Sequence, residues 1–309
     1  MNCIISGITG LIGSRFFELY GDKFDKIYQL GRSRANVGAE WIEYDLSVGD
    51  PIVLPEIDVF FHFAGQTSVY SASKNILNDL NLNVVSLIQI LQSLKNNTKK
   101  PFVVTASTAS EYGYTDSSVP ISETYSSNPI TFYDISKLAA ENYLLQFVRE
   151  GWVNGCALRL ANVYGGSKKG QNSDRGVIDK VFQKALAGET IHFFGSGEFI
   201  RDYIHIDDVV SAFYLAWLNR ECVNGEYFNI GTEEGTTIKE AFCLMAKLAE
   251  EVTGKDVKVT SIEAPHANSS IEYRSYISSI EKFVSCSGWK PVFNLETGIR
   301  HSYEKLFNE

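Results

Sequence analysis

The chain has 309 residues, of which 44% are hydrophobic and 21% charged: enough length for more than one core, and no sign of disorder. A formal net charge of −9 argues against nucleic acid or an anionic membrane as the main partner, and no apolar run approaches the roughly 18 residues of a membrane span. The five cysteines (Cys3, Cys156, Cys222, Cys243, Cys286) are scattered and lack CxxC spacing, so they read as reduced, mostly buried thiols with neither a disulfide framework nor a metal site.

In chain order, 3–5 reads as a strand and 11–20 as a helix, followed by short strands at 27–30 and 41–44. An unbroken apolar strand at 59–63 precedes a long amphipathic helix over 76–94. Strand 102–105, helix 135–149 and strand 156–160 follow. The first strand begins within three residues of the N-terminus with no basic leader, so a cytoplasmic location is expected. Alternating strand and helix predicts an α/β fold with a Rossmann-type doubly wound parallel sheet. After Val163 come a polar loop over 165–176 and a helix over 177–186, then a helix capped by Asp207 and Asp208 that runs to Leu218. Another helix over 237–251, the run Gly288-Trp289-Lys290-Pro291 and a last helix complete the chain. The expected division is a sheet domain over 1–161, with about 203–232 returning to it, and a smaller C-terminal lobe from 162–202 and 233–309.

Gly7-Ile8-Thr9-Gly10-Leu11-Ile12-Gly13 stands between the first strand and the first helix. Glycines there permit a tight turn and close backbone approach, and the helix start faces a pyrophosphate, so a dinucleotide site is predicted. The next strand ends in Leu30-Gly31-Arg32-Ser33-Arg34, with two arginines and no carboxylate. Arg32 and Arg34 therefore favour the 2′-phosphate of NADP(H), with NAD as the alternative. Asp45 would suit the adenine amino group, and Phe63-Ala64-Gly65 would let a cofactor pass close.

A tyrosine four residues before a lysine shares a helix face with it, and the ammonium would lower the phenol pKa towards neutrality. Three such pairs occur: Tyr70/Lys74, Tyr133/Lys137 and Tyr164/Lys168. The last lies in the glycine-rich loop, where no helix fixes the pair, and the first in a polar Ser-rich stretch just after the fourth strand. Tyr133/Lys137 opens a strong helix and follows the strand that ends in Ser107-Thr108, where ligands sit in such sheets.

These segments, with Asp45-Leu46, His62 to Gly65, Asn83-Val84, Ser107 to Gly113, Tyr133 to Lys137, Leu158 to Gly165, Gly195-Ser196-Gly197, Arg201 to Val209 and Gly288 to Pro291, resemble the extended short-chain dehydrogenase/reductase family over essentially the whole length. The resemblance implies an NAD(P)-dependent enzyme acting on a nucleotide-diphosphate sugar, and a homodimer built on helix 76–94 and the helix after Tyr133. It implies Thr108, Tyr133 and Lys137 as catalytic residues, with Tyr133 the acid/base and Lys137 on the nicotinamide ribose. Leu11, Ile12, Leu46, Thr105 and Leu160 join the cofactor residues, and the C-terminal lobe holds the nucleotide sugar through Asn162, Arg201 and Arg274. An alternative for Arg201 is a structural ion pair with Asp202 or Asp207. Dehydratases of the family carry an acidic pair after the Thr; Ala109 and Ser110 stand here, which disfavours dehydration. Reduction of a 4-keto (6-deoxy) sugar by NADPH is the favoured expectation. A 4-epimerase with tightly held NAD is the alternative, and a non-catalytic dinucleotide binder the more distant one. Regions 166–174 and 265–273 are expected to shape substrate choice.

Overall fold

A computed structural model describes the chain from Met1 to Asn308, apart from residues 36, 116–118, 166–176 and 264–272 and the side chains of 303 and 305–308. Its strands are β1 (Asn2–Ser6), β2 (Lys26–Gly31), β3 (Glu40–Glu43), β4 (Val59–His62), β5 (Phe102–Thr108), β6 (Asn154–Leu160), β7 (Asn162–Tyr164), β8 (Ile191–Phe194), β9 (Ile200–His205), β10 (Tyr227–Ile230), β11 (Gly235–Thr237) and β12 (Val259–Ile262). The helices are α1 (Leu11–Tyr20), α2 (Val69–Lys74), α3 (Ile76–Leu80), α4 (Ser86–Leu94), α5 (Phe132–Arg149), α6 (Val177–Ala187), α7 (Ile206–Leu218), α8 (Arg220–Val223), α9 (Ile238–Thr253), α10 (Glu281–Ser287) and α11 (Leu295–Asn308).

Seven parallel strands form the main sheet in the order β10-β6-β5-β4-β1-β2-β3. The strands read as continuous apolar runs because both faces are covered. Cys3, Ile5, Val59 and Phe61 pack with Phe16, Val209 and Phe213 on one side, while Ile4 and Phe60 pack with Leu87, Leu91 and Leu144 on the other. That is the two-residue period of a strand, filled on both phases. A third core joins Phe182, Ile191, Phe242, Met245 and Ile299 around α6, β8, α9 and α11. Small sheets β11-β9-β7 and β12-β8 complete the lobe. From β1 the chain runs outwards to β2 and β3, then returns to place β4 on the other side of β1. This reversal opens a crevice at the carboxyl ends of β1 and β4.

Three local expectations are corrected, and one unassigned stretch is a helix. The stretch 69–74 is helical, started by Ser68 accepting from the Ser71 amide at 3.2 Å, with the Gln66 side chain accepting from the amides of Thr67 and Ser68 that follow it; it lacks the apolar periodicity that announces a helix. The helix expected over 76–94 runs that whole length from its cap Asn75, but widens to a π-turn over Asn81–Val85. His205, not the aspartate pair, caps α7 by accepting from the Asp207 amide. Asp207 instead binds Arg15 at 2.6 and 2.9 Å, and Asp208 takes the amides of Val292 and Phe293. Lastly, Cys222 and Cys286 form a disulfide, 64 residues apart in sequence, because α8 and α10 pack side by side. Cys3 and Cys156 are buried thiols, and Cys243 is an exposed one.

Among the described residues no helix is long and apolar enough to cross a membrane, and no cluster of three or more His, Cys, Asp or Glu side chains could hold a metal.

Candidate active site

A cleft of about 590 Å³ lies at the β1/β4 crevice. Its floor is the turn from β1 into α1, closed by the Gly10 amide donating to the Gly7 carbonyl at 2.7 Å. Gly7 has φ +70°, and a Cβ there would meet the Ala64 amide at 2.8 Å; a Cβ on Gly13 would lie 2.3 Å from the Gly7 carbonyl. Both approaches are open to glycine alone. Gly10 begins α1 with no side-chain cap and no acidic residue follows in the first turn, so the free amides of that turn are left for an anion. These features fit the pyrophosphate of a dinucleotide. Substituting Gly13→Ala is expected to weaken dinucleotide binding by about tenfold or more, through a strain of about 1–3 kcal/mol; calorimetric titration of NAD and NADP would measure it.

The cleft is lined by most of the cofactor residues read from sequence: Gly7, Gly10, Leu11, Ile12, Gly13, Arg32, Asp45, Leu46, Phe63, Ala64, Gly65 and Leu160, together with Thr108, Tyr133 and Lys137. Two lie elsewhere. Thr105 is buried in β5 against His62 of β4, because it precedes the strand end by three residues. Arg34 is exposed and outside the lining, since Gln29 folds the loop back by bonding both the amide and the carbonyl of Ala35. Asp45 is held ionised, below the usual carboxylate range, first by the Ser47 hydroxyl and also by Arg32.

Several residues that support the cleft were given no role from sequence. Ser6 bonds His62 at 2.8 Å and accepts from the Ala64 amide, tying β1 to the loop after β4. Burial pushes the His62 imidazole down to about 3, so it stays neutral. Asn83, in the π-turn, accepts from the Gln66 amide and donates to Asp79 and Ser136; a Cβ on Gly65 would strike its carbonyl oxygen at 2.7 Å. A π-turn shifts the side-chain phase of a helix, and single-helix periodicity over 76–94 does not reveal it.

At the catalytic end, the cap Thr131 starts α5 ahead of Tyr133. The Thr108 hydroxyl lies beside the Tyr133 phenol, and the Lys137 ammonium donates to the Ala106 carbonyl. The phenol is not lowered as the sequence suggested. Burial pushes it well up and Asp134 adds to this, while Thr108 acts the other way. Lys137 is itself pushed down by burial and held up by Glu111, Glu141 and Asp79. In this environment Tyr133 keeps its proton.

Glu111 lies outside the cleft lining and is fully buried. It accepts from Ser107, pairs with Arg159 at 3.2 Å, and sits near Glu141, which holds the same guanidinium at 2.5 and 3.0 Å. Burial, followed by the Glu141 charge, pushes Glu111 up to about 8. Between the ordinary carboxylate pKa and that value the folded protein holds a proton the unfolded chain releases. This stabilisation is therefore fully present below the unfolded pKa and lost as pH rises through about 8. Glu111→Gln is expected to flatten the fall in melting temperature between about pH 5 and about pH 9, relative to the wild type.

The three expected substrate residues lie outside the cleft lining but form a group of their own. Arg201 donates to the Arg274 carbonyl, Arg274 pairs with Asp134 at 3.2 Å, and Asn162 accepts from the Tyr276 hydroxyl at 2.8 Å. Asp202 accepts from Thr232 and Ser278, and Asp207 from Arg15. Of the other tyrosine pairs, Tyr70/Lys74 is outside the cleft lining although helical. Tyr164 is buried against the Asn294 carbonyl, and Lys168 lies outside the described residues. So do residues 166–174 and 265–272 of the regions expected to shape substrate choice.

The geometry is that of a cleft fit for a dinucleotide, ending at a hydroxyl, a phenol and an ammonium, and the chain is similar to known proteins over its length. The model of the NAD dependent epimerase/dehydratase family matches residues 3–231. The UDP-glucose 4-epimerase of Halalkalibacterium halodurans is 28% identical over 329 residues, covering 98% of this chain and 95% of its own. The crystal structure of UDP-glucose 4-epimerase from Thermotoga maritima with UDP-glucose superposes with a TM-score of 0.86 at 28% identity, over 100% of this chain and 99% of that one. The Thermus thermophilus UDP-glucose 4-epimerase complex with NAD shares the fold, with a TM-score of 0.83 at 23% identity and 99% of each chain covered. The chain belongs to the NAD dependent epimerase/dehydratase family.

Proposed function

We propose that this enzyme is a UDP-hexose 4-epimerase that retains NAD through turnover. The observation carrying this reading is the full-length likeness to UDP-glucose 4-epimerases, one of them solved with UDP-glucose, in a chain that keeps Thr108, Tyr133 and Lys137 at one end of the cleft. When bound, NAD supplies reversible hydride uptake at the sugar carbon. Tyr133 takes the proton of the hydroxyl on that carbon and later returns it, Thr108 holds the same oxygen, and Lys137 holds the nicotinamide ribose. Asn162, Arg201 and Arg274 grip the diphosphate. The proposal takes the place of the 4-keto reduction that sequence reading put first.

One observation favours that second reading, with NADPH as reductant: Arg32 lines the cleft at the end of β2, where no carboxylate stands. The deciding experiment is to denature the purified protein, identify any released nucleotide by chromatography and mass, and incubate the native enzyme with UDP-glucose or UDP-galactose. Near-stoichiometric NAD and interconversion of the two sugars support the epimerase. An empty protein that prefers NADPH and reduces a 4-keto sugar supports the reductase and ends the epimerase reading.

We also propose a homodimer. Ile76, Leu77 and Leu80 on α3 and Ile135 and Tyr143 on α5 are exposed, Leu77 at 74%, an apolar surface that pairing would bury. Leu77→Lys is expected to shift the protein towards monomer in light scattering.

A further inference from the structure

The carboxylate of Asp134 is the least explained group beside the site. It follows Tyr133 directly and is wholly buried. Three residues after the cap Thr131, it occupies the place from which an acid completes a capping box by reaching back to the cap amide. Thr237 and Glu240 make both bonds of such a box at the start of α9. In α5 the Asp134 amide donates to Thr131, but the carboxylate is turned elsewhere: one oxygen accepts from Ser110 at 2.6 Å, and Arg274 approaches both at 3.2 and 3.4 Å.

A hydroxyl has one proton to give. The Ser110 proton is committed to Asp134, so in the 2.9 Å contact between Ser110 and Thr108 the donor must be Thr108. Thr108 also accepts from the Ser110 amide at 3.2 Å. In the resting enzyme the Thr108 proton is therefore turned towards Ser110. The same carboxylate is the counter-charge of Arg274, whose carbonyl receives Arg201. An ionised acceptor makes such a chain stronger and more rigid than neutral groups would.

We propose that Asp134 is a positioning residue that orients the Thr108 hydroxyl through Ser110 and competes with the substrate diphosphate for Arg274, so that occupation of the arginine site and the state of the catalytic hydroxyls are linked. This rests on the reading of Thr108, Tyr133 and the arginines given above. Binding of a diphosphate draws Arg274 from Asp134 and leaves the carboxylate to Ser110 alone. The groups facing the Tyr133 phenol are Asp134 on its own helix, Thr108 on β5, Glu111 after β5 and Asp79 on α3, with Lys137 one turn along α5. The Asp134 charge opposes phenol ionisation.

Two cycles test it. UDP binding is measured by calorimetry on wild type, Asp134→Asn, Arg274→Gln and the double variant. Asp134→Asn is expected to tighten UDP about threefold or more when Arg274 is present and to have no effect in the Arg274→Gln background. Turnover is then compared for Asp134→Asn, Ser110→Ala and their combination: each single change lowers kcat by about tenfold, and the double is no worse than the larger single loss. In Asp134→Asn the limb of the kcat–pH profile that reports Tyr133 moves to lower pH, which a purely structural role would not produce. Equal UDP effects in both Arg274 backgrounds, additive kcat losses, or an unmoved limb overturn the proposal. Wild type that neither binds UDP nor turns over a UDP-sugar sinks the epimerase reading instead.

Discussion

Replacing Tyr133 by Phe is expected to reduce turnover by about 10²–10⁴-fold, the range for loss of a general acid–base group, with little change in folding or in dinucleotide retention. The substitution removes one oxygen and keeps the ring. Lys137 keeps its bond to the Ala106 carbonyl, and Ser110 still receives the Thr108 proton. The phenol, pushed up by burial and by Asp134, holds its proton in the resting enzyme, so it is a better donor than acceptor until charge develops beside it. Activity falling at low pH and recovering as pH rises would be the corresponding profile for the oxidising direction. Single-turnover measurement with UDP-galactose, with bound nucleotide quantified in parallel, separates a lost proton step from a lost cofactor. Tyr70→Phe is the control: it has the same spacing to a lysine on a helix but lies outside the cleft lining, and its turnover should match wild type. Equal losses in the two variants would remove Tyr133 from the mechanism.

The second large effect is expected from Arg159→Met, with a loss of about 3–5 kcal/mol of stability near pH 8, as when one partner of a buried ion group is removed. Arg159 is 2% exposed and holds Glu141 and Glu111 while lying over the rings of Tyr112 and Tyr227. Methionine keeps much of the packing and leaves Glu111 and Glu141 facing each other without their counter-charge in a medium that solvates neither. Glu111, already raised by burial and by Glu141, loses its only nearby guanidinium among the described partners. The loss should shrink towards about pH 5, where Glu111 carries a proton. Chemical denaturation at the two pH values measures it; a small loss independent of pH would mean that the cluster contributes packing alone. The same cluster stands behind Lys137, whose ammonium Glu111 and Glu141 help to keep charged, so the variant should also lose activity beyond what unfolding explains.

Much of this was legible in the sequence. The main sheet was readable because strands buried on both faces, such as β4 and β6, are apolar at successive positions, and because the glycine spacing at Gly7 and Gly13 answers to close contacts of backbone with backbone. Tyr133 could be separated from its two rivals by context, since a helix start after a strand end is a local pattern. The Asn83 support, the Asp134 turn towards Ser110 and the Cys222–Cys286 bond were not readable, because each joins residues that only packing brings together. The capping pattern Thr131-x-x-Asp134 even suggests the wrong partner.

By itself, then, the sequence determined the alternation of strands and helices as far as β6, the parallel sheet and the glycine turn at its head, which follow from periodicity, glycine sterics and short-range spacing; the resemblance added the three candidate catalytic groups. Only the tertiary structure decided their electrostatic state. It withdrew Arg34 and Thr105 from the cleft, put Asp134 between Ser110 and Arg274, and set burial against the ammonium at Tyr133. The direction of a pKa shift depends on which charges and how much solvent surround a group in space, and a neighbour four residues away is one contribution among several that the chain brings from far along its length.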